Sequence, residues 1–341
     1  AMITSMLRRM PMVAAALVLL IPTSRSAVAQ AVPSDSAILA ILKTRVDSGR
    51  ATGIVVGILE QGRPRYVAYG TAGTGVAPID EHTLFEIGSI SKTLTGLLLA
   101  DAVKRGEVRL DEPLAELLPK GTLVPTRDRK VITLELLSTQ RSGLPRLPGN
   151  LAPVDSTDPY AGYDAQRLYA FLSGYTLPRA PGDSAEYSNL GVGLLGHALT
   201  VRAGAPSWGA LVERRITGPL GMRETFVDVP PALRGRVAIG HDARMTAVPP
   251  WHFDALAGAG ALRSTAADML TYLAAALDTS HGPLRQAMAL APRVVVVVLE
   301  VEEHLDAERP RHVGVDPRAV GGGVAAHQLH RRPAFLAGPR P

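Results

Sequence analysis

Eight residues, Phe85-Glu86-Ile87-Gly88-Ser89-Ile90-Ser91-Lys92, set a hydroxyl and an amine three positions apart at the head of an apolar run. If residues 94–102 continue as a helix, Ser89 and Lys92 share one face and the amine reaches the serine oxygen. A weak nucleophile is activated in this way. At a helix N-terminus Ser89 also meets unpaired backbone N–H groups and the positive end of the helix dipole, which stabilise an oxyanion forming on a substrate. One short segment therefore predicts a nucleophile, a base and part of an oxyanion hole.

Ser-x-x-Lys alone is weak evidence, because a chain with five lysines contains one by chance about one time in four. Tyr187-Ser188-Asn189 changes the weighting. It uses one of only two asparagines in the chain, and composition alone produces this tripeptide with a probability of about 0.2%.

With 341 residues and 46% hydrophobic content, the chain has enough apolar surface for a substantial core, in one large domain or two closely packed ones. Residues 1–29 differ from the rest. Arg8-Arg9, an apolar run over residues 12–21 and Ala27-Val28-Ala29 read as a secretory signal cut after Ala29, with an apolar stretch about half the length a membrane span requires. The expected mature protein is periplasmic or secreted, without stable membrane insertion. Cysteine is absent, which excludes disulfides, thiol catalysis and thiolate metal sites. The net charge of +5 comes from scattered arginines, 31 of the 36 basic residues, with no basic stripe or recognition motif, so no nucleic-acid partner is expected. The histidines lack metal-ligand spacing, no Gly-x-Ser-x-Gly elbow surrounds any serine, and no phosphate-cradling loop occurs. Neither a metal nor another cofactor is expected.

Along the chain, residues 36–48 have helical spacing of apolar positions. Residues 54–59 and 66–69 read as two strands of a hairpin joined by a turn over 60–65. From about 106 to 257, Pro and Gly punctuate helical stretches at 165–172 and 192–202. Ser264-Thr265 offers an N-cap to the amphipathic run 269–277, and Val294 to Leu299, within residues 293–302, reads as a buried strand.

Phe85 to Lys92 resembles throughout the nucleophile motif of class C β-lactamases and their relatives, the penicillin-binding DD-peptidases and the β-lactamase-like esterases. Tyr187-Ser188-Asn189 resembles that family's second motif, in the right order and about a hundred residues on. Weaker likenesses run through residues 132–145 and 258–269, so that the resemblance covers roughly 35–280. It implies an α/β (α+β) fold, an antiparallel sheet flanked by helices with a mostly helical insert. The division it suggests is 30–105 and 280–341 for the α/β domain and 106–279 for the helical one. It implies β-lactam hydrolysis through an acyl-enzyme on Ser89, with a carboxylesterase on short acyl esters, a DD-peptidase, and a non-catalytic penicillin-binding module or an enzyme impaired by its tail as the alternatives. The partner is then a small β-lactam or ester.

By resemblance, Tyr187 shuttles protons to the leaving group and activates the deacylating water, and Asn189 hydrogen-bonds the substrate's side-chain amide and Lys92. Whether Lys92 or Tyr187 is the general base stays open. The family's third motif, Lys-Thr-Gly or His-x-Gly, fits less well: no lysine follows Lys130, and His312-Val313-Gly314 is the only His-x-Gly after Tyr187. Two readings stand. Either His312 marks the third motif and the Val315 N–H is the second oxyanion donor, or Val313 to Pro317 is the strand end that follows a lost motif, since Pro317 fits a central strand poorly.

Overall fold

The computed structural model describes residues 32–73, 78–278 and 280–294. The signal segment at 1–29 and the third-motif residues His312 and Val315 lie outside the described residues, as does most of the strand read at 293–302.

Helix α1 (Asp35–Asp47) lays Ile38 and Leu42 against a hairpin of β1 (Gly53–Glu60) and β2 (Arg63–Gly70), where Val67 is buried beside Ile54, Val56, Ile58 and Tyr69. Alternation puts these residues on one face. On the other face Gly57 meets Leu270. The hairpin is antiparallel, Gly53 opposite Gly70 and Glu60 opposite Arg63. Its turn is therefore two residues, Gln61 and Gly62, both at positive φ, and not the six expected. Arg63 and Pro64 read as turn residues in the sequence, yet β2 accommodates Pro64 at its start, where among the described residues β2 pairs only with β1.

The short β3 (Phe85–Glu86) leads into a 3-10 turn (Gly88–Ile90) and then α2 (Ser91–Lys104). Leu94, Leu97, Leu98 and Leu99 are all buried in α2, so this helix is buried over most of its circumference and forms the centre of the main core. Each such leucine contributes about 1.5–3 kcal/mol by leaving water. After α2 come α3 (Leu134–Ser138), α4 (Ala165–Gly174) and α5 (Asn189–Arg202), capped by Thr133, Asp164 and Ser188. Next, α6 (Trp208–Val212) runs through one π-turn into α7 (Gly218–Leu220). Two short strands, β4 (Gly240–His241) and β5 (Ala247–Val248), pair with each other, and β6 (Arg263–Ser264) pairs with β3.

Helix α8 (Ala266–Leu277) begins at the expected cap, Thr265, and Leu270 carries it onto the hairpin, which is thus flanked by helices on both faces. The last described helix, α9 (Arg285–Val294), buries Ala287 and Met288 in the main core beside Leu290 and Ala291. The helix runs to Val294, so Arg293 and Val294 close a helix where the sequence suggested a strand. The described fold is α/β, with antiparallel strand pairs and helices packed against them.

Candidate active site

Ser89 sits on the 3-10 turn two residues ahead of α2, and not at the α-helix start expected. Gly88, at φ +49°, supplies the left-handed residue that turns the chain out of β3. The 3-10 turn runs directly into α2, and Lys92, in the first turn of that helix, still reaches Ser89 three positions back. The turn is held from below: Ile87 N–H donates to Leu262 O (3.0 Å), Leu262 N–H to Ser91 Oγ (3.2 Å), and Arg263 pairs with Glu86 at 2.7 Å. Ser89 itself is exposed.

The second motif comes from the head of α5. Ser188 caps that helix, accepting from Gly191 N–H at 2.8 Å, and donates its hydroxyl to Pro145 O at 2.7 Å. Its own N–H donates to Gln140 Oε1 (2.7 Å), and Glu186 N–H donates to Gln140 O (2.8 Å). Gln140 is buried and stands at φ +62°, a conformation costing about 1–3 kcal/mol for a residue with a Cβ. The segment around Tyr187 is fastened on both sides.

These two supports bring Ser89, Lys92 and Tyr187 together. Ser89 Oγ lies 2.6 Å from Tyr187 Oη, either of which could donate, and Lys92 Nζ donates to Ser89 Oγ at 3.0 Å. Lys92 is 3% exposed and also donates to Ala259 O at 2.6 Å. Burial first, and repulsion from Arg146 second, lower its pKa to about 7, so the neutral amine is well populated near neutral pH. The Lys92 ammonium position and the Arg146 guanidinium each stand 5.0 Å from the centre of the Tyr187 ring.

Asn189 is close by but does not bond Lys92 as expected. Its amide donates to Tyr160 Oη at 2.9 Å, and its Oδ1 is buried with no hydrogen-bond partner. Tyr160 stacks on Phe253 with ring centres 4.4 Å apart and tilts against Trp251 at 5.5 Å. Burial pushes the Tyr160 hydroxyl up to about 12, so it stays neutral beside Asn189. Three contributors escaped the sequence reading: the Ala259 carbonyl, Gln140 and Arg146. The repeated small residues at 257–261 were the available signal for the first.

Chemically, this is an exposed hydroxyl within hydrogen-bond reach of two proton acceptors, one a lysine with its charge suppressed. Among the described residues no group of acidic or imidazole side chains is placed to hold a metal ion.

Residues 38–307 match the family described as Beta-lactamase. A protein named Beta-lactamase from Escherichia coli (strain K12) is 31% identical over 252 residues, 72% of this chain and 63% of that protein. The D-alanyl-D-alanine-carboxypeptidase/endopeptidase AmpH of the same organism is 33% identical over 228 residues, 65% of this chain and 57% of that protein. A crystal structure of a class C beta lactamase from Rhodobacter sphaeroides superposes with a TM-score of 0.63 at 30% identity, covering 75% of this chain and 70% of that one. The chain spans about three fifths of the length of the curated relatives it matches.

Proposed function

This chain belongs to the beta-lactamase family, and from that premise we propose that it is an exported serine hydrolase that forms an acyl-enzyme on Ser89, with β-lactams as its first substrate class. The observation that carries the reading is the contact set of Ser89 Oγ, 2.6 Å from Tyr187 Oη and 3.0 Å from Lys92 Nζ. Ser89 attacks the lactam carbonyl and gives up its proton to Lys92 or Tyr187. The C–N bond breaks, and Tyr187 returns a proton to the leaving nitrogen. Water then attacks the ester, the same groups take its proton, and the acyl C–Oγ bond breaks as that proton passes to Oγ, which regenerates Ser89. Asn189 and the Ser89 N–H are proposed to position the substrate. Val315 is proposed as the second oxyanion donor and His312 as the third-motif residue.

A second reading, a DD-peptidase, is favoured by the 33% identity to the AmpH carboxypeptidase/endopeptidase. Short-ester hydrolysis is favoured instead by the lack of any lysine after Lys130, because a cationic third motif normally helps to hold a β-lactam carboxylate. Export rests on the character of residues 1–29, and the division at 105/106 and 279/280 is kept as part of the proposal.

A fluorescent penicillin should label the protein covalently, and Ser89→Ala should abolish labelling. Tyr187→Phe should lower turnover about 10²-fold in a protein whose circular dichroism is unchanged. Parallel assays on nitrocefin and p-nitrophenyl butyrate rank the substrate classes. Labelling that survives Ser89→Ala sinks the mechanism.

A further inference from the structure

Arg146 lies outside both motifs, and beyond its repulsion of Lys92 the chemistry above gives its side chain no part. Its carbonyl accepts from Asn189 N–H at 3.0 Å and Leu190 N–H at 3.2 Å, and the preceding Pro145 carbonyl accepts from Ser188 Oγ. The backbone beneath Arg146 is thereby fixed to the segment carrying Tyr187. The side chain is exposed, with its guanidinium carbon 5.0 Å from the Tyr187 ring centre. Other arginines of this protein, such as Arg202, Arg215 and Arg263, pair with glutamates. Among the described residues no carboxylate pairs with Arg146. A guanidinium held by a ring face and left without an anion presents its fork of donors to whatever binds beside that ring.

We propose that Arg146 recognises a carboxylate carried on the leaving-group side of the substrate. The proposal rests on the acyl-enzyme reading and deepens it. In a penicillin, as in a peptide ending in D-alanine, the carboxylate is borne by the carbon bonded to the departing nitrogen. That nitrogen must come within reach of Tyr187 Oη to be protonated. Its carboxylate then lies one carbon away, beside the cation that flanks the same ring, where a guanidinium binds both oxygens at once. A simple alkyl or aryl ester has no group to place there. The charge has a second effect: Arg146 repels the protonated form of Lys92. Removing it should therefore move the acidic limb of the pH–rate profile to higher pH.

The test compares benzylpenicillin with its methyl ester, which share acyl group and leaving nitrogen and differ by one charge. With the full chain, acylation should favour the acid, and Arg146→Ala should lower the acid-to-ester ratio about 10- to 100-fold, the range expected for a lost hydrogen bond to a charged group. Arg146→Lys should recover part of the ratio, and added salt should narrow the wild-type preference more than that of Arg146→Ala. A ratio equal in wild type and Arg146→Ala, including one in which both substrates slow in proportion, overturns the assignment and leaves the acyl-enzyme reading standing. A wild type acylated by neither compound overturns the β-lactam reading and this inference with it.

Discussion

Lys92 and Ala259 stand 167 positions apart in the chain, and the Lys92 amine donates to the Ala259 carbonyl across 2.6 Å in the protein interior. A carbonyl satisfies one amine hydrogen without adding a negative charge, so this contact offsets only part of the cost of burying an ammonium. The lowering of the pKa from 10.5 to about 7 follows from that burial and from Arg146.

The sign of the pH dependence comes directly from this shift. The neutral amine is the form that accepts a proton. Hence kcat/KM should fall about tenfold per pH unit below about 7 and level off above it. Stability should move the same way: between about 7 and 10.5 the unfolded chain binds a proton at Lys92 that the folded chain does not, so folding is favoured as pH rises through that window. Nitrocefin kinetics from pH 5 to pH 9 check the first statement. A rate that falls above pH 7 would make the ammonium the working form and leave Tyr187 as the base.

Gly258 sets where the Ala259 carbonyl lies. The turn at Ala257–Ala259 is wedged between α2 and α5, with Thr95 Oγ1 donating to Gly258 O at 2.8 Å. A Cβ on Gly258 would stand 3.0 Å from Thr95 Oγ1 and 3.1 Å from the Gly196 Cα. Backbone on one side leaves little room to yield. Gly258→Ala should therefore lose about 1–3 kcal/mol of stability in urea unfolding. It should also lower turnover toward the 10²-fold that about 1 Å of misplacement costs. Unchanged turnover in the alanine variant would detach the Ala259 carbonyl from catalysis.

Most of the candidate site was legible because its geometry is local. Ser89 and Lys92 meet within one turn, and Tyr187-Ser188-Asn189 is the cap of a helix whose apolar spacing is plain. Helix α1, the hairpin strands and the Thr265 cap of α8 are likewise short-range features. What escaped is carried by backbone atoms or by unusual torsions. The Ala259 carbonyl has no residue-type signal, and nothing in the sequence announces that Gln140 adopts φ +62°. Asn189 was assigned to Lys92 by resemblance, whereas the buried Tyr160 hydroxyl, 29 positions away, takes its amide. Such a partner becomes visible only when α5 is packed.

Gln140 gives the last prediction. It is 2% exposed, its Oε1 accepts from the Ser188 N–H and its carbonyl accepts from the Glu186 N–H, one bond on each side of Tyr187. Its Nε2 is buried without a partner, so the residue is kept for its oxygens. Gln140→Ala would leave the Ser188 N–H unsatisfied, costing about 1–3 kcal/mol, and would keep a Cβ at a left-handed torsion. Gln140→Gly would lose the same acceptor while relieving the torsion, so it should be the more stable of the two variants despite its greater chain freedom. Both should lower acylation more than substrate affinity, because the Tyr187 phenol loses its fixed distance of 2.6 Å from Ser89. Stopped-flow acylation, with urea unfolding on the same samples, separates the two effects. Variants that lose stability but acylate at the wild-type rate would reduce Gln140 to a folding residue.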